Sequence, residues 1–478
     1  MRSDDGMITM LVPLHGIASR SDLPLPFPYV VVGAAITLAV SFLVMLLAWR
    51  KPLLSRPRPH EIRWLTRTWS HAWVRWLLRL LVLALYLLVA AAVFFGKDLL
   101  TNPAFWFVFS VVWVGLVPTS LLLGPIWREL SPLRTLYDLI TAAARLDGAG
   151  FVRLPRWVGV WPAAIGLFGF AFLELVQPDR ATLPVLRVWV LAWFCTAILG
   201  AVIFGRRWFS AAEPFEAYAT HVSKLSWLGF DAELPGARTG TSSKRRSPRR
   251  SPRPTRRPGG PGRLYAQNPL RMLGGWSAPR GSAAVVCALL GSTAFDSFQN
   301  TSWWVRSVAA AGIHPTLFAA AGLLTMIAIV LAAFTIACWA MRPFVTGVPF
   351  TDLPRRMAPS VVPIVIGYAF AHYFTAFVAQ SQTFFITISD PFGLGWNLFG
   401  TATLGAYTGL YNVPTAIAVL QVCFILGGHV LGIVIAHERS LVVLQGSTRP
   451  HATITGQLPM LVLMVFFTCS GLLLLFRP

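Results

Sequence analysis

"LLVLALYLLVAAAVFF", residues 80–95, runs without a charge, a proline or a glycine. A hydrocarbon layer about 30 Å thick asks for about 20 apolar helical residues, and extending this run back to Arg75 reaches that length. Arg75 and Arg79 then open the span, which marks that end as cytoplasmic, because basic residues accumulate on the inner side of a membrane. Nine further stretches read the same way, so the candidate spans are 28–49, 75–95, 104–124, 157–176, 185–204, 282–304, 314–340, 358–379, 413–436 and 457–476. The composition agrees: 55 % hydrophobic, 12 % charged, mean hydropathy +0.63. The expected fold class is all-α, a polytopic transmembrane helical bundle of about ten spans.

With the N-terminus outside, the segments 50–74, 125–156, 205–281, 341–357 and 437–456 face the cytoplasm and hold 31 of the 40 Lys and Arg residues. The formal net charge of +22 is therefore mostly topological. This orientation predicts a multi-pass protein of the cell membrane with both termini extracytoplasmic. "TGTSSKRRSPRRSPRPTRRPGGPGR", 239–263, contains nothing apolar and is expected to be disordered. It divides the chain into an extracytoplasmic N-terminal segment (1–27), a five-span N-terminal half (28–225), a cytoplasmic linker (226–280) and a five-span C-terminal half (281–478). Beside a membrane such a linker favours anionic lipid head groups, at about 1 kcal/mol per basic residue. No aromatic residue is interleaved with its charge, which argues against nucleic acid.

Three cytoplasmic pieces, "SPLRTLYDLI" (131–140), "EPFEAYATHVSKL" (213–225) and "NPLRML" (268–273), place a capping residue before a proline and a helix-forming stretch. They read as short helices lying at the inner interface. Cys195, Cys287, Cys338, Cys423 and Cys469 each stand alone in an apolar run, with no CxxC, and read as buried apolar residues.

Polar groups inside spans carry the candidate chemistry. In the sixth segment only about 15 residues are purely apolar, about 22 Å of helix, so the helix is expected to continue through "DSFQNTSWW" to a belt at Trp303 and Trp304. Asp296 then lies about 10 Å below the outer interface, on a stripe with Ser292, Gln299 and Asn300. In "IGYAFAHYFTAFVAQSQ", 366–382, His372 precedes Gln380 by two helical turns and lies about 12 Å below the same interface, sharing a face with Tyr368 and Thr375. An imidazole and a carboxylate at one depth on parallel spans are natural partners, and an intramembrane ionisable group is a functional-site candidate by default. A structural interhelical hydrogen bond is the plain alternative.

The apolar external loop 382–414 is expected to fold back over the bundle, offering Asp390, Trp396 and Asn397 above His372. With His15, His314 and Glu174 these residues would line an outward-facing vestibule for a small-molecule ligand. Gly428, Gly432 and Ala436 make a small-residue packing face on the ninth span. His429 beside it and His437 at its inner end are about 12 Å apart along the helix, too far to share one metal ion. Haem would need partner histidines at matching depths, and His429 has none, so haem is disfavoured. A metal ion is the cofactor left open, with His15, His372 and His429 as weak candidate ligands. GxSxG, HExxH and GxxxxGK[ST] are all absent.

"HGIASRSDLPLP" (15–26), "LLGSTAFDSFQNTSWW" (289–304), "VVPIVIGYAFAHYFTAFVAQSQ" (361–382), "ISDPFG" (388–393) and "GHVLGIVIAHERSL" (428–441) resemble signature segments of a family of polytopic membrane proteins of actinobacteria and some archaea. Many of its members carry the label fenitrothion hydrolase. That resemblance implies the membrane topology, and its label implies hydrolysis of an organophosphorus ester with an activated water and often a metal. Three functions follow as expectations: permease-like handling of a small ligand at an intramembrane His/Asp site, a membrane-embedded hydrolase, and a structural or assembly subunit of a membrane complex.

Overall fold

The computed structural model describes residues 19–54, 59–230, 262–445 and 451–476. Helices dominate them: α1 Phe27–Ala48, α2 Ala72–Phe95, α3 Pro103–Val112, α4 Leu116–Leu123, α5 Pro132–Ala143, α6 Trp161–Leu175, α7 Leu183–Phe204, α8 Arg207–Ala212, α9 Pro214–Val222, α10 Pro269–Gly275, α11 Ser282–Phe298, α12 Ser302–Ala310, α13 Pro315–Ala340, α14 Leu353–Met357, α15 Val362–Thr387, α16 Pro414–Val443 and α17 Leu458–Leu475. Among the described residues seven helices are long and apolar enough to cross a membrane, and eight if the bent pair α3–α4 is one span. The protein is an all-α, multi-pass membrane bundle. The fourth and sixth expected spans appear as the shorter apolar helices α6 and α11, of 15 and 17 residues. At 1.5 Å per residue these are about 22 and 25 Å long.

One end of the bundle carries a small antiparallel sheet, β1 (His60–Glu61), β2 (Leu228–Phe230) and β3 (Leu264–Ala266), in the order β1-β3-β2. The opposite end carries the irregular segment 388–413. These are called the sheet end and the loop end. The sheet joins the chain before α2 to both flanks of the linker, and Arg263 reaches Glu61 at 3.6 Å. Nearly all of the Arg/Pro-rich stretch 239–263 lies outside the described residues.

Helices α1, α2, α7 and α13 turn Val40, Leu81, Val188 and Leu324 outward, as helices facing lipid do. Helix α11 is the reverse, buried from Ser282 through Ser297. Its small residues allow that: a Cβ on Gly291 would stand 2.8 Å from the backbone of Ile327 on α13. Helices α15 and α16 meet equally closely, since a Cβ on Gly428 would meet Pro363 O at 2.7 Å and Gly367 Cα at 3.1 Å.

Helix α3 ends in a π-helical turn, Phe107–Val112, with Trp113 N bonded to Val108 O at 3.2 Å and Gly115 N to Ser110 O at 2.9 Å. Pro118 then removes one donor from the next turn. Together these bend α3 against α4 by 48°.

The sequence expectation fails for α9. The capping pattern is present, with Glu213 accepting from the backbone N–H groups of Phe215 and Glu216, but the helix is buried along its length rather than lying at an interface. The chain turns at Gly205 (φ +71°), α8 packs back along α7, and Glu213 at the apex accepts from the indole N–H groups of Trp127 and Trp193 at 3.1 Å each. Helix α9 returns to the sheet end, where His221 meets Trp276. Four donors on Glu213 and the Arg134–Glu216 pair at 2.6 Å satisfy the two carboxylates that this hairpin buries. Alternating apolar and polar residues suggested a surface helix because its polar partners lie far away in sequence. Two cysteines also depart from expectation: Cys287 and Cys338 are buried, but Cys195 and Cys423 are exposed on the bundle surface.

Candidate functional site

Helix α11 does not continue through Trp303 and Trp304. It ends at Phe298, and Thr301 caps the separate helix α12 by accepting from Trp304 N at 3.1 Å. Trp304 packs inward against Phe295, with ring centroids 5.3 Å apart. Asp296 therefore sits in the last turn of a short helix, and its side chain points at α15. Helix α15 runs on to Thr387, so His372 lies about 22 Å from that end, deeper than the sequence indicated.

The two side chains meet. His372 Nε2 is 2.9 Å from Asp296 Oδ2, and the residues are 2 % and 1 % exposed. Tyr373 O–H donates to the same oxygen at 3.1 Å, and Gln299 Nε2 donates to Oδ1 at 3.2 Å. On the far side of the ring, Ser297 Oγ stands 3.3 Å from His372 Nδ1, and Tyr368 O–H donates to Ser297 Oγ at 3.3 Å. A carboxylate only accepts, so the network assigns the proton to Nε2 and leaves Nδ1 to accept from Ser297. The chain of donors then runs from Tyr368 through Ser297 and His372 to Asp296, where Tyr373 also ends. Tyr368 lies parallel to the imidazole at 6.1 Å and Tyr373 stands edge-on to it at 4.6 Å.

Glu174, in the last turn of α6, is buried nearby and interacts electrostatically with Asp296. Its backbone oxygen accepts from Arg180 at 2.6 Å, and its Oε2 has no hydrogen-bond partner among the described residues. Thr375 Oγ1, on α15, is likewise buried without a partner. Trp113, Tyr218, Thr293 and Tyr373 surround a cavity of about 10 Å³. That is room for one water among several polar groups.

Other expected residues lie elsewhere. Asn300 donates to Asp296 O at 2.8 Å, so it holds the turn after α11. Gln380 stands two turns along α15 from His372 and makes no contact with this network. Asp390 is spent on its own turn, accepting from Leu394 N at 2.9 Å and Gly395 N at 2.7 Å. Partial burial pushes the Asp390 pKa up, but these and neighbouring N–H donors outweigh it and hold it below the ordinary value. Trp396 packs on Phe392, and Asn397 accepts from Ala402 N. The loop end therefore does not present these groups to His372, and the centre is closed rather than an open vestibule. His314 caps α13 through Thr316 N. His429 Nδ1 is satisfied by Ile425 O of its own helix, and His437 bridges Gln457 and Trp49 O. His15 lies outside the described residues. Among those residues no three His, Cys, Asp or Glu side chains come together to hold a metal ion.

Ser297 and Tyr373 were not read from the sequence as site members. Spacing arguments favour residues three or four apart, whereas α15 presents both flanks of one turn to α11, so sequence neighbours on each helix enter the same network. Comparison with protein-family models, curated proteins and solved structures finds no match for this chain.

Proposed function

We propose that the protein is a permease-like protein of the cell membrane, with both termini and the loop end extracytoplasmic, in which the His372–Asp296 centre takes up and releases a proton as a small ligand crosses. The observation that supports this is the 2.9 Å contact between an imidazole and a carboxylate buried together in the bundle, with a second carboxylate, Glu174, at its flank. Proton relays through membrane proteins are built from such groups, and a purely structural tie would not need a second buried carboxylate. In proteoliposomes under a pH gradient, His372→Ala and Asp296→Asn should each abolish coupled movement while the protein still folds. Unchanged transport by both variants overturns the reading.

Ser297 supports a second reading, the hydrolase expected from the resemblance. Ser297, His372 and Asp296 stand in the order of a nucleophile, a base and its orienting carboxylate, though the imidazole faces serine with Nδ1. Hydrolysis of an aryl phosphorothioate by the wild-type protein, lost in Ser297→Ala, would favour this reading over transport.

A further inference from the structure

At the sheet end, away from the His372 centre, three arginines border one polar pocket of about 290 Å³. Arg355, at α14's centre, is accounted for: it grips Asp352 with two nitrogens, at 3.3 and 2.9 Å, and donates to Ala278 O at 3.0 Å. The other two are not. Arg439, near the end of α16, donates to Arg356 O at 2.8 Å and Gly274 O at 3.0 Å, contacts that satisfy hydrogens but not its charge. It is 9 % exposed. Arg356 makes no side-chain hydrogen bond to any described residue, and its Nε is buried. In the neighbouring carboxylate, Glu438, each oxygen accepts a backbone N–H, from Leu53 at 3.0 Å and Leu54 at 2.7 Å.

A buried guanidinium nitrogen without an acceptor, beside a second guanidinium, is unfavourable. Such an arrangement persists where a ligand supplies the missing charge. We propose that this pocket binds an oxyanion of the phosphate class, held by Arg356 and Arg439 with Ser277 at the rim. The planar fork of arginine matches phosphate oxygens in pairs, and two adjacent guanidinium groups match the charge of a phosphate ester. The pocket lies where the apolar run of α16 ends, the level at which head groups meet water. The same chemistry is offered there by a lipid phosphate and by a free phosphorylated solute.

The test uses the full-length protein in a neutral detergent, titrated separately with inorganic phosphate and with a short-chain phosphatidylglycerol below its micelle concentration. Saturable binding of either probe is expected, weakened at least tenfold by Arg356→Gln and partly restored by Arg356→Lys. Because Arg356 makes no side-chain hydrogen bond among the described residues, Arg356→Gln should fold, and its unliganded unfolding midpoint should equal or exceed that of the wild type. Phosphate binding that competes with the lipid identifies a free solute as sufficient, and lipid binding without phosphate binding identifies the head group. If neither probe saturates, if chloride binds as well as both, or if Arg356→Gln binds both probes within twofold of wild type, the proposal is overturned.

Discussion

His372 and Asp296, 76 residues apart in sequence, are joined at 2.9 Å between two helices, and each is closed off from solvent by the other's neighbours. Losing one member leaves the other buried without its counter-group, a change that costs about 3–5 kcal/mol, whereas losing both leaves an apolar gap. His372→Leu and Asp296→Leu should therefore each lower stability by about that amount, and the double variant by clearly less than their sum. Unfolding titrations in mixed micelles measure this, and additivity within about 0.5 kcal/mol would show that the two do not interact.

Tyr373 and Tyr368 flank the imidazole but serve different partners, the first bonding Asp296 directly and the second donating to Ser297, which faces His372 Nδ1. Removing a hydroxyl bonded to a buried charged group costs about 1.5–3 kcal/mol, and one bonded to a neutral hydroxyl about 0.5–1.5 kcal/mol. Tyr373→Phe should thus destabilise more than Tyr368→Phe in the same titration. The reverse order would place the charge elsewhere.

The lipid-facing helices were legible because an uninterrupted apolar run admits one reading, as residues 80–95 do within α2. The pairing of Asp296 with His372 was legible because charge in such a run needs a partner. Three things were not. The stop at Phe298 depends on Thr301 capping α12, a signal masked by the aromatic residues that follow. The burial of α9 depends on Arg134, Trp127 and Trp193, which its own sequence cannot announce. The arginine pocket assembles from α14, α16 and the end of α10, where each basic residue alone reads as topology.

Asp390 is predicted to order the first turn of the loop in a pH-dependent way. Its pKa is held below the usual value, so the stability it contributes is fully present above that usual value, near 4, and is lost as pH falls through the lower folded one. Asp390→Asn should remove that dependence and raise amide exchange at Leu394 and Gly395 about fivefold at neutral pH, as a lost bond of about 1 kcal/mol requires. Hydrogen-exchange mass spectrometry over 388–400 reads both effects, and equal exchange in the variant would show that the carboxylate does not hold the turn.

Close approach of α15 and α16 leaves no room at Gly428. A leucine there would drive its Cβ into Pro363 O and Gly367 Cα and force the helices apart. Because Gln421, farther along α16, donates to Ala371 O beside His372, the separation should also disturb the His372 centre. Gly428→Leu is expected to lower stability by at least about 3 kcal/mol, while Gly427→Leu, at a position with open space around it, should change it by less than about 0.5 kcal/mol. Similar losses from the two variants would contradict the packing.

Arg134 holds the folded-back hairpin by gripping Glu216 with two nitrogens, at 2.6 and 2.7 Å, while Ser210 on α8 bonds both partners. Arg134→Met leaves Glu216 buried without a cation and should cost about 3–5 kcal/mol. Replacing both partners by apolar residues of similar volume removes the unpaired charge, so Arg134→Met with Glu216→Leu should recover most of the loss. The hairpin itself supplies a local readout, because it turns at Gly205 and the adjoining Arg206 is fixed to Asp138 at 2.7 Å. Trypsin should cut after Arg206 and Arg207 faster in the single variant than in either the wild type or the double variant. Equal cutting in all three would mean that the ion pair does not anchor α8 and α9.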